Sequence, residues 1–200
     1  MAQPDLSVAP HTPHLAPSPR AWLTCVMGNF EAFLQDHASC EKKASGMAMS
    51  VASHYPDQPA LLMAMADLAV EELSHYREVI RIMLARGITP AADSKDPYVN
   101  QLNSHIRRGS EFFLLDRLLM GAVVERRGAE RFACIAQALT DPELKKFYDA
   151  IATSEARHWT LFYRLACEHC SPERASDRFA EICSLENDIM LALPTRAALH

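Results

Sequence analysis

The sequence predicts an all-α fold, a bundle of four long helices closed by a fifth. The chain has only 6 Gly in 200 residues and is rich in Ala, Leu, Met, Glu and Arg, with few runs of Val, Ile or Thr, a composition that favours helix over strand. Apolar residues recur at three- and four-residue intervals along most of its length, the period of a half-buried helix. The stretches PDQP, TDPE and SPER place proline where a helix begins, two of them behind a capping Asp or Ser, so the helices carry their own start signals.

Residues 1–19, MAQPDLSVAPHTPHLAPSP, hold five prolines and no periodicity and are expected to form a flexible tail. Residues 20–200 are then a single domain, and 49% hydrophobic content supplies a substantial core. The first helical segment runs from Arg20 to Tyr55, with a break expected around Asp36. PDQP opens the second helix, which ends at Gly87. The connector ITPAADSKDPYVNQLN, with a short helix expected after Asp96-Pro97, is long enough to cross a bundle. A third helix is expected from Ser110 to Leu139. Asp141 caps the fourth, which runs to His169. SPER opens the fifth, whose Phe179, Ile182, Leu185, Ile189 and Leu193 make one packing stripe.

The formal charge of −5 excludes a general nucleic-acid binder, which needs a basic excess to neutralise phosphate. Any RNA contact must be local. The basic pairs Lys42-Lys43, Arg107-Arg108, Arg126-Arg127 and Lys145-Lys146 read first as solvated helix surface. No apolar run is long enough to span a membrane and no signal peptide opens the chain, so a cytoplasmic protein is expected. The six cysteines fall mostly within helical patterns and are expected to be free thiols. CEHC at 167–170 has metal-like thiol spacing but no second pair, and reads as an accident of a helix end.

The candidate site comes from a duplication. ELSHY at 72–76 returns as EARHW at 155–159, a Glu-x-x-His followed by an aromatic residue. Glu72 lies in a stripe of Met65, Leu68, Ala69, Tyr76 and Val79, and Glu155 in one of Tyr148, Ile151, Ala152, Trp159 and Phe162. A carboxylate on such a face is costly unless it is paired, protonated or bound to metal. His75 and His158, three residues on, share those faces. EKKAS from Glu41 resembles ERRGA from Glu125, thirty-one residues before Glu72 and thirty before Glu155 respectively. A helix pair has been repeated.

Small residues surround these two glutamates, including Gly121 and Gly128. Glycine within a helix costs about 1 kcal/mol relative to alanine, so something is expected to need that space. Four helices offering Glu41, Glu72 with His75, Glu125, and Glu155 with His158 make the ligand set of a ferritin-like carboxylate bundle holding two iron or manganese ions. Four carboxylates balance two divalent cations, and hard oxygens with imidazole suit iron. Glu71 and Glu78 have no counterpart in the repeat and read as solvated; His37, one turn before Glu41, suits either a core residue or a partner of the site. The same ligands serve ferritin-type iron oxidation, peroxide reduction and manganese catalase chemistry, so they do not by themselves identify a substrate. A non-catalytic helical interaction protein is a further alternative.

The motifs DHASCEKKAS at 36–45, EELSHYREV at 71–79, VVERRGAERF at 124–132 and SEARHWTLFYRLA at 154–166 resemble those of the tRNA 2-methylthio-isopentenyladenosine hydroxylases, the MiaE family, over residues 20–192. The resemblance implies a di-iron monooxygenase that uses O2 to hydroxylate the isopentenyl side chain of the modified adenosine next to the anticodon. It implies Glu41, Glu72, His75, Glu125, Glu155 and His158 as ligands of two iron ions, with no departure among the six. It also implies a tRNA anticodon stem-loop as partner and an external, ferredoxin-like electron donor, and it recasts the basic pairs as candidates for a phosphate track. Oligomeric state is left open.

Overall fold

The computed structural model describes residues 12–200; the expected tail's residues 1–11 lie outside the described residues. Seven helices and no strands occupy the described part: α1 (Arg20–Gly28), α2 (Phe30–His54), α3 (Pro59–Ala85), α4 (Pro97–Ser104), α5 (Phe113–Ala138), α6 (Pro142–His169) and α7 (Pro172–Ala192). None is long and apolar enough to cross a membrane.

The first break falls at Asn29 rather than near Asp36. Asn29 caps α2 by accepting from Ala32 N–H at 3.2 Å, and Gly28 before it ends α1. Asp36 stays inside α2 and turns its carboxylate to Leu199 N–H at 2.7 Å, a distant partner that the local pattern does not contain. The later boundaries follow their caps. Asp96 accepts from Tyr98 and Val99 N–H at the start of α4, Asp141 from Glu143 and Leu144 N–H at the start of α6, and Ser171 from Arg174 N–H at the start of α7. These contacts satisfy N–H groups that a helix start leaves unpaired.

α2 packs along α3 and α5 along α6, two long hairpins, while α7 lies against α5, α6 and α4. The hairpins' backbones stand closer within each pair than between pairs. Two apolar clusters fill the interior. One gathers residues such as Leu68, Val123, Phe162, Phe179 and Ile182, the other Trp22, Phe33, Val79, Phe132, Tyr148 and Ile151. Each long helix passes from one cluster to the other, and the polar seam lies at the crossing.

Residues 12–19, assigned to the tail by composition, lie without helix or strand against α5 and α7. Ala16 N–H donates to Asn187 at 2.7 Å, Ser18 binds the Glu130 carboxylate through N–H at 2.9 Å and Oγ at 2.6 Å, and Arg127 donates to Ala16 O at 2.8 Å. On α7, Phe179, Ile182 and Ile189 are buried as the stripe predicts, but Leu185 and Leu193 are only half-buried, and Glu186 lies fully inside.

Candidate metal centre

Along each of the four long helices, the point of passage between the apolar clusters carries a buried glutamate: Glu41 on α2, Glu72 on α3, Glu125 on α5 and Glu155 on α6. His158 is buried beside Glu155, and His75 is nearly so. Their donor atoms converge in two groups. Glu41, Glu72, His75 and Glu155 form one, and Glu72, Glu125, Glu155 and His158 the other, with the donor atoms of each group within 4.8 Å of one another. Glu72 and Glu155 belong to both. The structure thus brings all six sequence-derived candidates together, with the two Glu-x-x-His glutamates in the shared position.

Several of these donors point at a common space rather than at each other. Glu72 Oε1 and His158 Nδ1 approach to 2.9 Å, yet neither has an aligned hydrogen bond among the described residues, and Glu155 Oε1 is similarly left over. An unsatisfied buried polar atom costs about 1–3 kcal/mol, and three of them facing one seam fit a cation. The titration of the cluster expresses the same demand for positive charge. Burial would lower His75 and His158, but hydrogen bonding and charge from Glu41 and Glu72 raise His75, and chiefly Glu72 raises His158, each to about 9. Burial, with the charge of Glu155, pushes Glu125 well above the usual carboxylate range; burial and the charges of Glu72 and Glu41 do the same to Glu155 against a hydrogen bond from Glu125. Burial would also raise Glu41, but His37 and His75 outweigh it and hold Glu41 well below that range. Oxygen donors with two imidazoles suit iron or manganese.

The surrounding residues correct parts of the sequence reading. His37 is fully buried, with Nε2 2.6 Å from Glu41 Oε1 and Nδ1 3.2 Å from the Tyr148 hydroxyl, so it orients a candidate ligand. Glu71 is not simply solvated. It accepts from Ser154 Oγ at 2.5 Å and Arg157 at 2.6 Å, and its other oxygen lies 3.3 Å from His158 Nε2. Arg127 cannot belong to a phosphate track, because it is fully buried and paired with Glu186. Arg107 is half-committed, its guanidinium held on the buried Asp116 carboxylate. Lys43, Arg108, Lys145 and Lys146 are exposed. All six cysteines are free, and Cys167 and Cys170 join no metal-capable group among the described residues.

The two glycines of α5 differ in what they make room for. A Cβ on Gly121 would sit 3.0 Å from the buried Phe162 ring, whereas one on Gly128 would meet Glu155 Oε2 at an ordinary 3.8 Å. Gly121 therefore serves an aromatic packing contact, and only Gly128 borders the carboxylates. Gly128→Ala is expected to raise the stability of the metal-free protein by up to about 1 kcal/mol through helix propensity. In Gly121→Ala the crowding, about 1–3 kcal/mol for overpacking, offsets or exceeds that gain. Urea midpoints of the two variants would show the difference, and equal midpoints would contradict the packing argument.

A cavity of about 550 Å3 opens beside the cluster, within the size range of small-molecule sites. Met47, Val99, Phe113, Met120 and Val124 make its apolar wall, Lys43, Lys95 and Arg117 contribute cationic groups, and Glu125 is part of its lining. A smaller chamber of about 50 Å3 is lined by Glu41, Glu72, Glu125 and Glu155, and the two share Cys40, Ala44, Val124, Glu125 and His200. His200 has no signal in the sequence, since it follows no periodic segment and its partners lie far away along the chain. It stacks on Tyr98 at 4.7 Å and joins Cys40 and Asp96 in a third group of metal-capable donors.

Comparison with known proteins bears on this arrangement. Residues 8–200 match the family described as tRNA-(MS[2]IO[6]A)-hydroxylase (MiaE). A tRNA 2-(methylsulfanyl)-N(6)-isopentenyladenosine(37) hydroxylase of Pseudomonas putida is 37% identical over 150 residues, 75% of this chain and 73% of that protein. The Salmonella typhimurium hydroxylase of the same name is 28% identical over an alignment of 233 residues, covering 92% of this chain and 86% of its own. Among solved structures, a Synechococcus protein described as having aldehyde deformylating oxygenase activity superposes with a TM-score of 0.88 at 31% identity, over 92% of this chain and 94% of that one. The ferritin-like fold expected from the ligand pattern is the fold the structure has.

Proposed function

The chain belongs to the MiaE family of tRNA hydroxylases, and from that premise we propose that it hydroxylates the isopentenyl side chain of 2-(methylsulfanyl)-N6-isopentenyladenosine next to a tRNA anticodon, using O2 and a centre of two iron ions. The observation that carries this reading is the apolar cavity sharing Glu125 with the carboxylate chamber. Glu41 and His75 would hold one ion, Glu125 and His158 the other, and Glu72 and Glu155 both. Such a centre, given two electrons by an external donor of the ferredoxin type, supplies the power to place one atom of O2 in an unactivated C–H bond.

The protein's own part is binding, orientation and exclusion of water. A base splayed from its stack can enter the cavity, its isopentenyl group against Met47, Met120 and Val124 and directed towards Glu125. Lys43 and Lys95 at the exposed edge suit the flanking phosphates. Around the donors, His37 fixes the Glu41 carboxylate, and the apolar clusters on either side of the seam keep bulk water from the reacting carbon. A tRNA substrate implies a cytoplasmic setting, and residues 20–200 are read as one ferritin-like domain.

The Synechococcus protein's activity offers a second reading, since an apolar cavity also accepts an aldehyde with an apolar chain. The cationic edge favours the polyanion. The test is nucleoside mass spectrometry of tRNA from cells lacking such a hydroxylase and expressing this chain. The expected result is a gain of one oxygen on the methylthio-isopentenyl adenosine. Unchanged nucleosides from soluble, iron-loaded protein, with aldehyde consumed in a parallel assay, would replace the tRNA reading with the second.

A further inference from the structure

Arg117 stands in the wall of the large cavity with no partner for its charge. It lies on α5, half-buried, and among the described residues it makes no hydrogen bond and no ion pair. Its guanidinium carbon lies 5.8 Å from the ring centroid of Phe113, a second lining residue one turn earlier. None of its nitrogens is among the buried polar atoms that lack a partner, so, unbonded as they are, they keep surface that a ligand can reach. Arg127, Arg131 and Arg178 are by contrast spoken for. Arg127 holds Glu186 with two parallel bonds, Arg178 holds Asp116, and Arg131 donates to Ser18 and Leu199 O.

The missing partner has a cost. Burial lowers the Arg117 guanidinium from its ordinary value, and only Tyr55 acts against it. Burial would lower Arg127 and Arg178 as well, but Glu186 and Asp116 outweigh it and raise both. A charge taken out of water with no opposite charge beside it destabilises a fold, so Arg117 does not serve the stability of the empty protein. Its position shows what it faces instead. Arg117 and Glu125 line the same cavity from α5, eight residues apart, which is about 12 Å along a helix. Between them α5 offers Met120 and Val124, and Met47 and Val99 extend the apolar stretch. The other carboxylate of the lining, Asp96, is committed to His200 and to the start of α4. The cavity thus runs from an open cation, along an apolar wall, to a candidate metal ligand.

We propose that Arg117 binds a phosphate flanking the modified adenosine and so sets how deeply that nucleotide enters the cavity, an inference that rests on the tRNA reading above. The nucleotide has the same order as the cavity, with an anion at one end, a flat ring in the middle and an apolar chain at the far end. A guanidinium suits a phosphate because its planar N–H groups bond two oxygens at once. Held at the phosphate, the base stops where its isopentenyl group meets the wall shared with the carboxylate chamber. Lys43 and Lys95 are exposed and serve the strand outside, whereas Arg117 is half-buried and serves the nucleotide within. An aldehyde with an apolar chain has no anion to offer, so the same contact selects against it.

The test is a double-mutant cycle in which one partner is the substrate. Anticodon stem-loops carrying the modified adenosine are made with the natural backbone, or with an uncharged methylphosphonate in place of either phosphate next to it. Affinity is measured for the full chain, Arg117→Met and Arg117→Lys, and kcat/KM for the same proteins loaded with iron. One of the two replacements is expected to cost the intact protein about 10–100-fold in kcat/KM, the scale of one charge-assisted hydrogen bond, with a matching fall in affinity. Arg117→Met should lose about the same on the natural stem-loop and nothing further on that replacement, while Arg117→Lys should keep part of the affinity. The melting temperature of Arg117→Met should equal or exceed that of the intact protein, which separates lost binding from lost structure. An Arg117→Met variant as active as the intact chain on the natural stem-loop, or one penalised by each replacement as heavily as the intact chain, overturns the inference alone. Iron-loaded intact protein that hydroxylates none of the stem-loops overturns the tRNA reading and this inference together.

Discussion

At the proposed di-iron centre, Glu155→Ala is expected to abolish hydroxylation and to prevent binding of both ions, whereas Glu41→Ala should spare one of them. Glu155 offers a donor to each of the two groups, while Glu41 belongs to one. Loss of a residue that merely orients a metal ligand costs about 10–100-fold in affinity or activity, so loss of a shared carboxylate should exceed that. Iron per chain, measured after reconstitution, separates the two variants. Equal occupancy in both would contradict the sharing of Glu155.

The same cluster predicts how the metal-free protein responds to pH. His75 and His158 are raised from 6.5 to about 9 in the folded chain. The stability they contribute is complete below 6.5 and is lost as pH rises through about 9. Glu125 and Glu155 are also raised, and they act in the same direction, losing their contribution as pH climbs from the ordinary carboxylate range through their raised values. Glu41 is depressed, so its contribution is lost only on the acid side. The metal-free protein should therefore be most stable in mild acid and melt progressively lower towards alkaline pH. Iron bound at the proposed centre would supply the positive charge that the protons otherwise provide, and it should flatten that decline. A metal-free melting temperature that rises steadily between pH 6 and 9 would be evidence against the charge argument.

Arg127→Met is expected to cost about 3–5 kcal/mol, as when one partner of a buried ion pair is removed. Arg127 and Glu186 are both fully buried. Two parallel bonds join them, Nε to Oε1 at 2.7 Å and Nη2 to Oε2 at 2.8 Å, and the Tyr98 hydroxyl donates to Oε1 at 3.0 Å. The network ties α5 to α7, α4 and, through Ala16 O, the chain before α1. Removing the guanidinium leaves a carboxylate in the interior with one hydroxyl partner among the described residues. In a chain of this size the melting temperature should fall by roughly 10 °C. Replacing both residues, as Arg127→Met with Glu186→Leu, should restore most of the loss because no charge is then stranded. A single variant within 1 kcal/mol of the parent in urea unfolding, or a double variant no better than the single, would show that the pair is not what holds α7 in place.

The helices and the six candidate donors were legible because both follow from local order. A period of three and four residues puts Glu72 beside His75 and Glu155 beside His158 whatever the rest of the chain does. The duplicated spacing to Glu41 and Glu125 then pairs the helices. Caps such as Asp141 and Ser171 bond to N–H groups two or three residues away, and so they too are visible in a short window. The break at Asn29 was misplaced for a related reason. Asp36 has the look of an interruption only while its partner, Leu199 N–H, is out of view.

The sequence by itself determined an all-α chain, the order of its long helices and the composition of a carboxylate-imidazole centre. Tertiary structure alone decided that Arg127 serves the core rather than RNA, that Gly121 yields to Phe162, that Glu71 meets His158, and that His200 reaches the cavity wall. Each of these depends on residues brought together from different helices or from opposite ends of the described chain. The helical period specifies which side of a helix is buried, and it carries no information about which distant side chain, or which cavity, that side will face.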